Sequence, residues 1–176
     1  MFIIFGVMKK YTLLFIALFI ISCSDNDDTE LKPFYVADNG VTIKARDWVT
    51  VGTSAELNGV TYTAVDLASL EQWINDDKDL SKVVTTKVET IGNSPVAVLF
   101  AKDNKVGTAK IKGIEGWDVS NWTDMSGLFY STEKVNVDLS GWDVSKVTEC
   151  NGLTGNFNAY NWPESKRPNF TNCNPD

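Results

Sequence analysis

The stretch GWDVSNWTDMSGLF, residues 116–129, is written again 25 positions later as GWDVSKVTECNGLT, residues 141–154, with eight of fourteen positions identical. A weaker copy precedes both: Asp79-Leu80-Ser81 to Lys87-Val88 aligns with Asp138-Leu139-Ser140 to Lys146-Val147. The offset of 59 is one period of 25 plus one of 34, with about nine extra residues between Gly92 and Lys112. A fixed period of this size marks stacked supersecondary units that bury their apolar faces on one another. The pattern predicts an α+β protein, a small strand/helix cap followed by a short repeat solenoid of about three turns near 79–112, 113–137 and 138–157. Superposed positions then form inward columns: Val83 with Trp117 and Trp142, Val88 with Trp122 and Val147, Ile91 with Met125 and Cys150. Leu153 completes the expected repeat core.

The chain contains no histidine, which excludes His-based general bases, nucleophile dyads and triads, and His-rich metal sites. Its formal charge of −7 opposes binding to phosphate backbones, so nucleic acid is not an expected partner. Asp118, Asp124, Asp138 and Asp143 recur with the repeat, and paired carboxylates serve glycosidases. Acids repeated with the period are better explained by corners, where Asp and Ser side chains bond nearby backbone amides. No glycine-bearing calcium loop of the D-x-D-x-D-G type is present. The expectation is a protein with no catalytic residues, no metal and no cofactor.

Residues 1–22 read as an export signal: Lys9-Lys10, then the apolar run Tyr11–Ile21, too short to cross a bilayer as a helix. Met8 is an alternative start. Ile20-Ile21-Ser22-Cys23 resembles the lipobox of bacterial lipoproteins, which implies lipidation at Cys23. Residues 23–32 are an acidic tether, and Ser24-Asp25-Asn26-Asp27-Asp28 resembles signals that send some lipoproteins to the outer face of the outer membrane. The expected location is therefore the bacterial cell envelope, lipid-anchored to the outer membrane and surface-exposed, with the lipid as the sole membrane contact.

Residues 33–78 read as a β-rich cap with one helix. Asn39-Gly40 and Asn58-Gly59 sit between β-prone runs and signal hairpins. Asp66 is placed to cap a helix through about Asn75, with Leu67, Leu70, Trp73 and Ile74 on one face. Residues 158–176 form a carboxyl-terminal cap tail.

The pattern G-W-D-V-S-x-V-T-D-M-S-x-M-F, here Gly116–Phe129 with Val135–Trp142 returning to the next copy, resembles the BspA-like leucine-rich-repeat surface proteins of bacteria. The NGVTIKA and NGVTYTAVD stretches and the terminal PNFTNC add to the resemblance, which covers most of the chain beyond the signal. It implies that the solenoid is leucine-rich-repeat-like, in a surface lipoprotein that binds protein partners or mediates adhesion without catalysis. Trp122 stands where that pattern has Val, and Cys150 where it has Met.

In an oxidising envelope Cys150 and Cys173 are expected to pair; the alternative is a buried free thiol at Cys150 in place of Met. The leading function is a surface-anchored binding or adhesion module with a protein ligand. The alternative is glycan binding through aromatic residues outside the core, with Trp48, Tyr130, Tyr160 and Trp162 as candidate contacts.

Overall fold

The computed structural model of the protein describes residues 31–89, 100, 111–129, 135–153 and 162–175. Cys23, the signal, most of the tether, Ile91, Tyr130 and Tyr160 lie outside them. Residues 32–176 form one compact unit.

Five short strands and one helix carry the regular structure of the described residues. Strand β1 (Phe34–Val36) pairs antiparallel with β2 (Ile43–Ala45), Tyr35 facing Lys44. Asn39 closes this hairpin with its side chain, its Oδ1 accepting from the backbone N–H groups of Val41 and Thr42. Strand β3 (Ser54–Leu57) pairs antiparallel with β4 (Val60–Ala64) across Asn58-Gly59. Both turn residues have positive φ, 53° and 80°, the conformation that a two-residue hairpin requires. Strand β5 (Val83–Val84) adds parallel to β4, giving a three-stranded sheet beside the two-stranded one. Phe34, Ile43, Ala45, Leu57 and Ala64 are buried together, with Val49 plugging the group from the loop after β2.

Helix α1 (Leu67–Asn75) starts at a capping box: Asp66 Oδ1 accepts from Ser69 N–H at 2.8 Å, and Ser69 Oγ accepts from Asp66 N–H at 2.9 Å. The helix buries Leu70 and half-buries Leu67, Trp73 and Ile74 against a second, larger core. That core is built largely from the repeat: Trp117, Trp122, Met125, Trp142, Val147 and Leu153 all lie in it.

The expectation of a leucine-rich-repeat-like solenoid of about three turns is overturned. Among the described residues strands are confined to two small sheets within residues 34–84, and the described parts of the two copies, 116–129 and 141–153, carry no strand; the β contact between them there is an isolated parallel bridge, Asp124 to Glu149. The reason lies in where their backbone amides go. Trp122, Trp142 and Val147 N–H close four-residue turns onto Val119, Leu139 and Val144 carbonyls, and further amides bond aspartate side chains. Few remain for a ladder: Met125, Gly127 and Phe129 donate to Glu149, Asn151 and Leu153 of the neighbouring copy. The result is a mixed, sheet-rich domain with irregular segments packed side by side.

The β1–β2 hairpin runs along these segments. At its base Ala45 N–H donates to Thr86 Oγ1 at 2.9 Å; midway Lys44 Nζ lies 3.5 Å from Asp118 Oδ1; at its tip Asn39 Nδ2 donates to Gly141 O at 3.0 Å. The hairpin base therefore meets Thr86, and the tip meets Gly141.

Candidate functional site

The recurring acids each occupy a tight Asp-x-Ser turn. Asp79, Asp118, Asp124, Asp138 and Asp143 accept through Oδ1 from the N–H of Ser81, Ser120, Ser126, Ser140 and Ser145, at 2.8 to 3.2 Å. Ser81, Ser120 and Ser140 also donate their hydroxyls to the same oxygen at 2.6 to 2.7 Å. Bonds to the ionised form favour it. The side chain of Ser81 holds Asp79 below the usual aspartate range, and those of Ser140 and Ser145 do the same, with their backbone amides, for Asp138 and Asp143. A carboxylate kept ionised and bonded to its own turn is poorly suited to be a general acid.

The repeated tryptophans join neighbouring segments. Trp117 Nε1 donates to Leu80 O at 3.0 Å, Trp142 Nε1 to Ile114 O at 3.1 Å, and Trp162 Nε1 to Val137 O at 2.8 Å. Trp122 breaks the series, its buried Nε1 having no hydrogen-bond partner. Val83, Val88, Met125, Val147 and Leu153 are buried with these rings. Cys150 and Cys173 form a disulfide with Cα atoms 6.0 Å apart, Cys150 buried and Cys173 packed against the core edge. Of the aromatic candidates, Trp162 is buried at 1% exposure, so it offers no face to a sugar and is withdrawn as a contact; Trp48 is 58% exposed.

One concave feature among the described residues is in the tail. A cleft of about 330 Å³ is lined by Glu164, Arg167, Pro168, Asn169, Phe170 and Asn174. A 3₁₀ turn at Glu164–Lys166 forms one wall. It is docked on the preceding segment, Leu139 N–H donating to Lys166 O at 2.8 Å and Lys166 Nζ to Asn136 Oδ1 at 3.2 Å. Arg167 is oriented by two bonds to Trp162 O, from Nε at 3.1 Å and from a terminal nitrogen at 2.7 Å. Just before Asn174 the chain is fastened by the disulfide at Cys173 and by Asn172 Nδ2 donating to Ser145 O at 2.7 Å. Phe170, packed on the core edge, supplies apolar floor, and Asn169, Asn174 and Glu164 supply polar rim. Ligand sites commonly span about 300 to 1,000 Å³ and are mostly apolar; this cleft lies at the lower bound, and its lining is about as polar as it is apolar. Nothing in the sequence identified this cleft, because its walls meet only when the tail folds back on residues 136–145.

Among the described residues no cluster of three or more His, Cys, Asp or Glu is placed to hold a metal ion, and no helix is long and apolar enough to cross a membrane. No curated protein and no solved structure gave a significant match to the chain. A family model described as "Mycoplasma protein of unknown function, DUF285" matches residues 68–172, more than half of the chain, from helix α1 through both copies of the repeat to the docked tail. The chain belongs to that family.

Proposed function

We propose that the protein is a non-catalytic binding module of the bacterial cell surface, held at the envelope by a lipid on Cys23 and engaging a ligand, protein or glycan, through the cleft in its tail. Membership of the DUF285 family is consistent with a surface-associated bacterial protein. The observation that carries the binding reading is the cleft: its concavity, its half-buried ring and its fixed walls suit recognition. The periodic acids and rings, by contrast, are engaged in turns and core. The narrower BspA-like resemblance adds adhesion as the role, with no cofactor and no nucleic-acid partner.

A glycan ligand is the second reading, favoured by two carboxamides beside an aromatic floor. Asn169 and Asn174 each present donors and an acceptor to hydroxyls, and Phe170 offers a ring. Arrays of matrix proteins and of glycans, probed with the full chain, separate the two. Asn169→Ala and Asn174→Ala should weaken whichever ligand is found; retention of full binding by both variants would remove the cleft from the reading. Anchoring is tested apart: Cys23→Ser should leave the detergent phase that the parent protein enters, and protease added to intact cells should remove the domain.

A further inference from the structure

Among the described residues the exposed large apolar side chains are concentrated in the β-rich part, and the most exposed ring, Trp48, is not in the cleft. Trp48 and Val51, 58% and 44% exposed, project from two successive tight turns after β2, in which Val49 N–H bonds Arg46 O and Thr53 N–H bonds Thr50 O. Between them Val49 is buried in the small core, so the corner is held in place and its outward side chains are presented, not collapsed. The other five tryptophans are buried or half-buried.

The same corner receives the chain from the tether. Arg46 N–H donates to Pro33 O at 3.0 Å, and Arg46 Nε to Lys32 O at 3.0 Å, so residue 32 enters beside the Trp48 turn. Lys87 Nζ closes on Asp47 O at 3.0 Å, and the Arg46 guanidinium lies 5.1 Å from the centre of the Tyr35 ring. Within the domain this group has three cations, Lys32, Arg46 and Lys87, against one carboxylate, Asp47, whereas the tether leading into it carries Asp25, Asp27, Asp28 and Glu30; the apolar Trp48 and Val51 are thus the main membrane-facing contribution. Aromatic rings flanked by Lys and Arg are the side chains that settle at a membrane–water interface.

We infer that the Trp48–Val51 corner docks on the surface of the lipid bilayer to which the chain is anchored. The inference rests on the proposed lipid at Cys23. From there nine residues reach Lys32, at most about 30 Å when fully extended at 3.3 to 3.6 Å each. A tether that short keeps the end from which it departs near the bilayer, and that end carries Trp48, Val51 and the cations. Docking there sets the base of the β1–β2 hairpin toward the bilayer and its tip, bonded to Gly141, farther from it.

The test uses the full lipidated chain purified from bacterial membranes and reconstituted into vesicles of phosphatidylethanolamine and phosphatidylglycerol. Acyl chains brominated near the headgroup supply the quencher. Tryptophan emission should be quenched by the brominated lipid and should lose its acrylamide-accessible component on reconstitution, and both changes should vanish in Trp48→Phe. Because Trp48 is exposed, that substitution leaves the cores intact; Lys32→Glu with Lys87→Glu should reduce the brominated-lipid quenching. If the chain floats with the vesicles while Trp48 stays open to acrylamide and unquenched by bromine, docking is refuted and anchoring stands. Failure to float at all would sink both, and flotation itself tells the two failures apart. Shielding of Trp48 by a glycan but not by vesicles would also overturn the inference, assigning the corner to a sugar.

Discussion

Trp117 and Trp122 lie five residues apart with ring centres 6.4 Å apart, both essentially without exposure, yet they should respond oppositely to Phe. Either replacement removes roughly 40 Å³, worth about 1 kcal/mol at about 24 cal/mol per Å³ of cavity. Trp117→Phe also removes the bond from Nε1 to Leu80 O and leaves that carbonyl short of a partner, a further cost of about 1 to 3 kcal/mol. Its total is about 2 to 4 kcal/mol. Trp122→Phe removes a buried N–H that has no partner, and relief of that burial offsets the void by about 1 to 3 kcal/mol. Its net effect should lie near zero or be stabilising, and the neighbouring copy already places the smaller Val147 at the aligned position. Urea unfolding with the disulfide intact measures both, as midpoints compared at unchanged slope. The variants should differ by at least about 2 kcal/mol on that reasoning. Equal losses, or a larger loss at Trp122, would show that ring volume alone sets the cost and that the indole bonds between segments carry no net stability.

Reduction of Cys150–Cys173 should cost about 3 to 4 kcal/mol by the chain-entropy relation for a separation of 23, read as a urea midpoint with and without reductant; an unchanged midpoint would mean that the tail is held by packing alone. Asp79, Asp138 and Asp143 are depressed chiefly by Ser81, Ser140 and Ser145 side chains, so their stabilising effect is complete above the unfolded aspartate value and lost as pH falls through the lower folded value. The midpoint should accordingly be level above about pH 5 and drop below about pH 4, and a midpoint that rises on acidification would contradict this assignment. Gly113 has φ +98°, and an added Cβ would meet Ser81 backbone, its Cα at 2.7 Å, whereas Gly152 at φ +58° faces open space. Gly152→Ala should cost about 1 to 2 kcal/mol and Gly113→Ala clearly more; similar costs in thermal melts would mean that the Ser81 segment moves aside freely.

What the sequence made legible was local. The Asn58-Gly59 turn, the Asp66 cap and the helix face of Leu67 and Leu70 depend on a few adjacent residues, and they stand in the structure where those residues put them. The turn role of the recurring Asp and Ser residues was legible for the same reason. The solenoid expectation failed because a period shows that segments are equivalent, not that their amides form ladders. In these copies the Asp-x-Ser turns take the amides that a strand would need. Trp162 was misplaced because its burial depends on Val137, 25 residues away, through a tail whose docking has no local signal. The same holds for Lys44 and Asp118, which are 74 positions apart and meet only when the hairpin lies across the repeat.

That hairpin leads to a last prediction, on cooperativity. Side-by-side segments with mainly neighbour contacts can unfold piecewise, since local opening follows local contact density. A three-residue hairpin would itself be marginal alone. Here each supports the other: β1–β2 is bonded at Thr86, Asp118 with Ser120, and Gly141, thus to all three copies of the repeat. Opening any one copy removes a support of the hairpin, and loss of the hairpin releases the others. The Lys44 contact matters most, because Asp118 is almost wholly buried and its Oδ2 has no hydrogen bond, leaving Lys44 as the countercharge. Removing one partner of a fully buried pair costs about 3 to 5 kcal/mol, and the partly exposed Lys44 places Lys44→Met at or below about 3. Asn39→Ala, at an exposed bond, should cost about 1 kcal/mol. Wild-type tryptophan fluorescence, to which the four buried rings Trp117, Trp122, Trp142 and Trp162 contribute the change on unfolding of the repeat core, and far-ultraviolet circular dichroism, which reports sheets and helix, should therefore give one coincident urea transition. Lys44→Met should separate the two curves, the repeat segments then opening apart from the sheets. Separate transitions in the wild type would show that the hairpin touches the repeat without coupling to it, and coincident curves in Lys44→Met would place the coupling in the shared apolar core instead.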